Sequence, residues 1–351
     1  MLHHIGHLVH DMSEAIERYR RLGFTLPAPA YPVMPTSPGA APEPFGVANT
    51  HAYFPRDFIE LVTVAGDGRM PGDARPIPLS VPDDRLPAIV EAVPATAATL
   101  TASLRRFQGV HILMIDAPDL DAATARLDAG GVGHGGVHAV RRPIETADGT
   151  RMEPVRFLEF GAEGRVPEGR VGLAENPPSQ ALRTDHPNGA IGLAGCLLCV
   201  ADADLAETEK RYAAYLGQAA RQDGPARTFD LPAARPDGSA GTFDLPGAAI
   251  DPPGAVITLV PATALADLLP GERPPGIPGF AAYTVTVRDL PAAERLLVAN
   301  GVPLGRSSAG DPFVPSAEAL GVAIIFKQAN LVDQVGERRR VGAGVVLNQG
   351  Y

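Results

Sequence analysis

Two glutamates interrupt segments that otherwise have the apolar character of buried strands. Glu60 lies in the segment FIELV (58–62) and Glu159 in FLEFG (157–161). An ionised carboxylate on a buried strand is costly unless it is paired. Each glutamate therefore needs a cation, a proton or access to solvent, which makes both of them candidates for functional groups.

Three polar side chains alternate along the segment GVANTHAYF (46–54), which precedes the one that carries Glu60. Asn49, His51 and Tyr53 share one face if this segment is a strand, because successive side chains point to opposite faces. We expect His51 to bind substrate or relay a proton, with Asn49 and Tyr53 beside it. A polar lining or an outward face remains the alternative.

Arg141 and Arg142 lie on a later strand-like segment. A guanidinium can bind a carboxylate with two parallel hydrogen bonds, so we expect these arginines to bind substrate. A purely solvent-exposed role is the alternative.

Other motifs carry no chemistry. Cys196 and Cys199 lie in one apolar strand segment, where their spacing turns them to opposite faces, so we expect buried thiols and no redox pair. The glycine run 131–136 matches G-x-G-x-x-G but follows a helix, so it lacks the context of a dinucleotide site.

The composition is that of a globular protein. Of 351 residues, 45% are hydrophobic and 20% are charged, and the length predicts about two domains. The net charge of -10 argues against nucleic acid and anionic membranes as partners. We find no apolar run of ~18 residues and no secretory signal, so we expect a cytoplasmic protein.

One pattern occurs four times: an apolar strand, an Asp, an amphipathic helix and a Gly. The four segments are 4–24, 111–132, 195–217 and 282–302. Asp is a good helix N-cap, and Gly suits the left-handed position after a helix. Further strand signals close the units at 57–64, 152–160, 255–262 and 321–328. Each repeat therefore predicts a βαβββ unit.

The connections between the units predict the domain boundaries. Polar segments rich in Gly and Pro separate the second unit from the third, at about 165–188. We expect an N-terminal domain over 1–165, a C-terminal domain over 185–330 and a tail over 331–351.

Four such units resemble the vicinal oxygen chelate superfamily, and its glyoxalase-like branch most closely. The resemblance is carried by HHIGHLVHDMSEAIERYRRLGF (3–24), GVANTHAYFPRDFIELVTV (46–64) and HPNGAIGLAGCLLCVADADL (186–205). It implies an α+β fold in which four βαβββ modules form two cupped mixed-sheet domains. It also implies a divalent metal in the cup, held by the first and last strands of paired units.

Carried over by position, the implied ligands are His4 and Glu60 in unit one, and His111 and Glu159 in unit two. The metal would be one ion of Zn, Ni, Co, Mn or Fe. The matching positions of units three and four hold residues that do not usually bind metals: Gly195, Thr258, Ala282 and Ile325. The resemblance therefore implies a metal site in the N-terminal half and a metal-free C-terminal copy.

The resemblance implies a lyase or isomerase that moves a proton on a small carbonyl or hydroxy compound. Glu60 or Glu159 would leave the metal and act as the base, with His51 as a second catalytic candidate. Two alternatives stay open: an Fe(II)-dependent dioxygenase of the extradiol type, and a non-enzymatic protein that sequesters a small molecule. We expect a small-molecule ligand and leave a homodimer open.

Overall fold

The computed structural model describes residues 1–35, 41–65, 70–78, 86–146, 149–175, 185–232, 243–245, 248–250, 254–329 and 331–332. Only the backbone is described for 86–95, 141–146, 149–151, 153, 243–245, 248–250 and 331–332. None of the described helices combines the length and apolar character needed to cross a bilayer.

The first half of the chain forms a 10-stranded mixed sheet. Its strands are β1 (Leu2–Leu8), β2 (Ala30–Pro35), β3 (Pro42–Pro44), β4 (Gly46–Tyr53), β5 (Phe58–Ala65), β6 (Arg75–Pro78), β7 (Gly109–Asp116), β8 (His138–Thr146), β9 (Gly149–Glu159) and β10 (Arg170–Glu175). Its helices are α1 (Met12–Arg21), α2 (Leu86–Arg106) and α3 (Leu120–Ala129). The strand order is β3-β2-β4-β5-β1-β7-β10-β9-β8, with β6 beside β2.

The second half forms an 8-stranded sheet and a small 3-stranded one. Its strands are β11 (Ala190–Val200), β12 (Arg221–Asp223), β13 (Ala226–Leu231), β14 (Phe243–Leu245), β15 (Ala248–Ile250), β16 (Ala255–Pro261), β17 (Gly279–Val287), β18 (Gly305–Arg306), β19 (Pro312–Val314), β20 (Ala323–Gln328) and β21 (Leu331–Val332). Its helices are α4 (Leu205–Leu216), α5 (Leu265–Leu268) and α6 (Leu290–Ala299). The larger sheet has the order β12-β13-β16-β11-β17-β20-β19-β18, and the small one β14-β15-β21.

The same pairing rule builds every unit. The first strand of each unit lies parallel to its last strand, in the pairs β1–β5, β7–β10, β11–β16 and β17–β20. The first strands of two successive units then pair antiparallel, β1 with β7 and β11 with β17. Units one and two therefore share one sheet, and units three and four share the other. The predicted α+β fold of paired βαβββ units in two cupped mixed sheets is confirmed.

The predicted last strand of unit two is wrong. Residues 152–160 lie almost wholly in β9, whereas β10 is the strand parallel to β7 that closes the unit. Residues 170–175 fall within the connection that was predicted at 165–188 because it is rich in Gly, Pro and polar residues. A Cβ at Gly172 would lie 2.1 Å from the carbonyl oxygen of Leu158, so close packing against β9 requires glycine there. The first sheet thus extends past the predicted boundary at 165.

The repeated Asp begins three of the four predicted helices as a side-chain cap. Asp11, Asp119 and Asp289 each accept a hydrogen bond from a backbone N–H in the first turn. Asp204 makes no such bond, because a short 3-10 turn over Asp202–Asp204 precedes α4. The predicted helices are therefore present in all four units, but the third begins differently.

One hydrophobic core joins the two halves. It contains residues from both large sheets and from α1, α3, α4 and α6, such as Ile5, Tyr19, Leu127, Tyr212 and Tyr283. We call the sheet face turned away from this shared core the cup face. Alternation then decides, residue by residue, which side chains reach the shared core and which reach a cup.

Each cup face carries an apolar cluster of its own. In the first sheet, Leu100 and Leu104 of α2 pack with Leu8, Val62 and other residues of the cup face, so α2 covers part of it. The cluster of the second sheet includes Cys199 and packs against α5 and the turn before it. Cys196 lies in the shared core, so the two thiols are buried on opposite faces, as predicted.

Candidate functional site

A polar cluster lies on the cup face of unit one. It comprises His4 on β1, Asn49, His51 and Tyr53 on β4, and Glu60 on β5. Buried and half-buried residues alternate along β4, and the half-buried set contains the three polar side chains. His51 lies directly opposite Glu60 in the antiparallel β4–β5 pair. The structure thus brings together the residues that the sequence places on neighbouring strands.

The Glu60 carboxylate accepts a hydrogen bond from an amide and lies close to an imidazole. Its Oε1 accepts a hydrogen bond of 2.8 Å from Asn49 Nδ2 and lies 3.7 Å from His51 Nε2. Burial by itself raises the pKa of Glu60, but His51, His4 and Asn49 outweigh it and lower the pKa to about 2. Glu60 is therefore ionised throughout the physiological range and gives the site a fixed negative charge.

His51 connects this carboxylate to a phenol. Its Nδ1 lies 3.1 Å from the Tyr53 hydroxyl, and the two rings stack with centroids 5.0 Å apart. Because Nε2 faces the carboxylate, we assign the ring proton to Nε2, which leaves Nδ1 to accept from Tyr53. The side chains of His51 and Glu60 are 18% and 17% exposed, so the cluster is sheltered and still open to a small molecule.

His4 completes the cluster through aromatic contacts. Its ring stacks on Phe58 at 4.6 Å, and Phe58 also meets the edge of His51. The Nδ1 atoms of His4 and His3 lie 2.7 Å apart, so one of the two must donate and the other accept.

Glu159 lies on the cup face of unit two and is paired with an arginine. Its Oε1 accepts from Arg170 Nε at 2.8 Å and also contacts Nη2 of the same guanidinium. Glu159 on β9 and His4 on β1 lie in one row across the sheet, which passes through Met114 on β7 and Gly172 on β10. Three strand spacings therefore separate Glu159 from His4. Glu159 therefore has a resident cation and does not join the polar cluster of unit one.

His111 does not join it either. A bulge in β7 places Val110 opposite His7 and Ile112 opposite Gly6, with His111 between them. The His111 ring stacks on Phe107, and its Nε2 lies 2.9 Å from the Phe107 carbonyl oxygen. Desolvation is the main cause that lowers the pKa of His111 to about 4. It is a buried, neutral side chain outside the cup.

The residues present do not fit the implied four-ligand metal. On the cup face of unit two, the positions level with Gly6 and His4 hold Ile112 and Met114, which offer no nitrogen or oxygen donor. Glu159 is neutralised by Arg170. Within the described ranges, no three His, Cys, Asp or Glu side chains are placed to hold one ion. Only His4 and Glu60 of the four implied ligands lie in one cluster.

Arg141 and Arg142 belong to β8, for which the structure describes only the backbone at these two positions. The prediction that they bind substrate therefore concerns side chains outside the described part of the chain. Sequence reasoning missed Arg170. The sequence contains a signal for it, because Arg170 is a charged residue directly before the apolar run 171–174. Glu60 was found from a similar signal, a charge within an apolar run. It was overlooked because the segment was assigned to a linker.

Comparisons with known proteins agree with this fold. Residues 2–216 match the glyoxalase-like domain family, so the chain belongs to that family. No curated protein matches the chain.

Among solved structures, a hypothetical protein from Staphylococcus aureus is similar, with 9% identity, a TM-score of 0.52, and coverage of 93% of this chain and 98% of that one. A mutant of 4-hydroxymandelate synthase from Streptomyces coelicolor has 14% identity, a TM-score of 0.48, and coverage of 97% and 98%. The Mn(II)-bound glyoxalase from Novosphingobium aromaticivorans has 10% identity, a TM-score of 0.44, and coverage of 95% and 83%. At 9% identity, the likeness to the Staphylococcus aureus protein concerns the fold alone.

Proposed function

We propose that the protein is a lyase or isomerase that moves a proton on a small carbonyl or hydroxy compound in the cup of unit one. The observation that carries the proposal is the alignment of Tyr53, His51 and Glu60. A hydroxyl, an imidazole and a carboxylate in this order form an arrangement in which the imidazole takes the hydroxyl proton and the carboxylate orients the imidazole.

In the proposed step, Tyr53 meets the substrate. Its oxygen takes a proton from a carbon next to the substrate carbonyl while its own proton passes to His51 Nδ1. For an isomerase, Tyr53 then delivers the proton that it took to the former carbonyl carbon while His51 returns its proton to Tyr53, and the hydroxyl proton of the enediolate passes to the former carbonyl oxygen. The step consumes no second reactant. Glu60 stays ionised and stabilises the protonated imidazole.

Asn49 supplies the charge stabilisation that an enediolate intermediate needs. Its Nδ2 donates one hydrogen to Glu60 Oε1, and the second hydrogen of the same amide remains to donate to a substrate oxygen. Because the donor set does not fit the implied divalent metal, no step of this proposal uses one. The reaction class implied by the family resemblance is kept, and the implied metal is not.

Deuterium uptake tests the proposal without knowledge of the natural substrate. A panel of 2-hydroxyketones, 2-hydroxyaldehydes and 2-oxo acids is incubated with the protein in D2O, and exchange at carbon is followed by proton NMR. We expect at least one compound to exchange, with a rate that EDTA leaves unchanged. Tyr53→Phe and His51→Gln should each lower the rate by about 100-fold or more, the usual contribution of acid–base catalysis. His10→Gln, an exposed histidine outside the cluster, is the control.

Exchange that survives both substitutions, or no exchange with any compound, would contradict the proposal. Two outcomes would favour the alternatives instead. Oxygen consumption that depends on added Fe(II) would favour a dioxygenase, and tight binding without exchange would favour a sequestering protein.

A further inference from the structure

A second polar pair faces the same cup from the opposite wall. The register runs straight across the sheet from Glu60 on β5 through Gly6 on β1 and Ile112 on β7 to Arg170 on β10. Val171 belongs to the shared core, so Arg170 is turned to the cup face, as Ile112 is. Arg170 and Glu60 therefore lie on opposite sides of one apolar floor.

One edge of the Arg170 guanidinium is not used by Glu159. Glu159 Oε1 takes Nε and Nη2, and Nη1 has no hydrogen-bond partner among the described residues. The Arg170 side chain is 27% exposed, compared with 13% for Glu159. Glu159 thus holds the Nε–Nη2 edge of the guanidinium in place. The Nη1–Nη2 edge can bind an anion with two parallel hydrogen bonds.

The sheet surface between Glu60 and Arg170 is apolar and closely packed at its centre, where Ile112 is buried. A Cβ at Gly6 would lie 2.6 Å from Cβ of Ile112, so the Ile112 side chain already covers that glycine. Three strand spacings separate Glu60 from Arg170, about 14 Å along the floor. His51 and Tyr53 lie one strand further away, on β4, so the long Arg170 side chain and the cupped shape of the sheet must bring the two ends of the site together for one molecule to contact both.

We infer that Arg170 is the subsite for an anionic group of the ligand, a carboxylate or a phosphate. This inference rests on the proposed function, because it assumes that the same molecule meets Tyr53 and His51 at its other end. The ligand is then a small oxo or hydroxy acid, or a phosphate ester of similar length. Glu159 acts as the positioning residue that holds the guanidinium.

A fluorine NMR screen with matched fragments tests this. Each fluorinated scaffold is offered as a carboxylate, a phosphonate and a neutral methyl ester. We expect anionic fragments to bind at least 10-fold more tightly than their esters. The charge-free double variant Arg170→Gln with Glu159→Gln should lose this preference, and Arg170→Lys should weaken it by several-fold while keeping the charge. The relative affinities of the carboxylate and phosphonate fragments show whether the subsite prefers a carboxylate or a phosphate group.

Arg156→Gln is the matched control. Arg156 is an ion-paired arginine of the adjacent strand β9, and it lies two residues from Leu158, which places it on the shared-core face and not on the cup face. Equal binding of esters and anions, no anionic binder at all, or anion binding that survives loss of Arg170 would each overturn the inference. Fragment binding and deuterium exchange are measured separately. Anion binding at Arg170 without deuterium exchange would refute the proposed function alone, and exchange that ignores Arg170 would refute the subsite alone.

Discussion

Replacing Glu168 with Gln should weaken the attachment of the N-terminal half to α4 and destabilise the protein. Glu168 is fully buried and accepts hydrogen bonds from both Nη atoms of Arg211, each at 2.9 Å. The Tyr212 hydroxyl donates a third bond of 2.9 Å. Both partners belong to α4 of the C-terminal half, so one carboxylate holds the N-terminal half to that helix. A glutamine leaves the Arg211 charge without its counter-ion.

The expected cost follows from burial. Breaking a buried ion pair by removing one partner costs about 3–5 kcal/mol. The Arg211 side chain is 21% exposed, so water compensates part of the loss, and we expect about 3 kcal/mol. Glu294→Gln is the matched control, because Glu294 binds both Nη atoms of Arg306 in a similar fork, at 3.0 and 2.6 Å. Arg306 is 56% exposed, and such surface pairs contribute at most about 1 kcal/mol.

Urea unfolding followed by far-UV circular dichroism measures both variants. Combining Glu168→Gln with Arg211→Gln adds a double-mutant cycle, which should show strong coupling between the two side chains. Equal costs for Glu168→Gln and Glu294→Gln, or a cycle without coupling, would refute the argument that burial makes this pair hold the halves together.

Three further predictions concern the cup and the shared core. The pKa of Glu60 falls from 4.5 to about 2, so its stabilisation is present above pH 4.5 and lost as pH falls through 2. In urea unfolding, Glu60→Gln should cost about 3 kcal/mol at pH 7 and less than half of that at pH 3. Gly6→Ala forces its Cβ against Ile112, which should cost about 1–3 kcal/mol by thermal unfolding and be relieved by Ile112→Ala. Tyr19→Phe removes a hydroxyl bonded to His7 Nδ1 at 2.7 Å, so chemical unfolding should show a loss of about 1–3 kcal/mol.

Much of the fold could be predicted from local signals. The spacing from Asp to Gly repeats because a helix of this length needs a cap at one end and a left-handed residue at the other. The closing strands of units one, three and four were found because each is an apolar run. β10 was missed because it lies in a connection rich in Gly, Pro and polar residues, where Gly172 is required only by its contact with Leu158 on β9.

The candidate site could likewise be predicted only in part from local signals. Alternation along β4 and β5 is a local property, so the sequence alone places Asn49, His51 and Tyr53 on one face beside Glu60. The partner of Glu159 is not local, because Arg170 meets it only after β10 inserts between β7 and β9. The bulge that turns His111 out of the cup depends on the register between β1 and β7.

The sequence by itself therefore determined the strand and helix that begin each of the four units, the closing strands of three of them, and the polar face of unit one, since all of these depend on periodicity within a few residues. Only the tertiary structure decided which strands became neighbours, that α2 covers part of the cup, and that an arginine pairs with Glu159, a residue expected to bind the metal. Those outcomes depend on contacts between residues far apart in the chain, which no local pattern records.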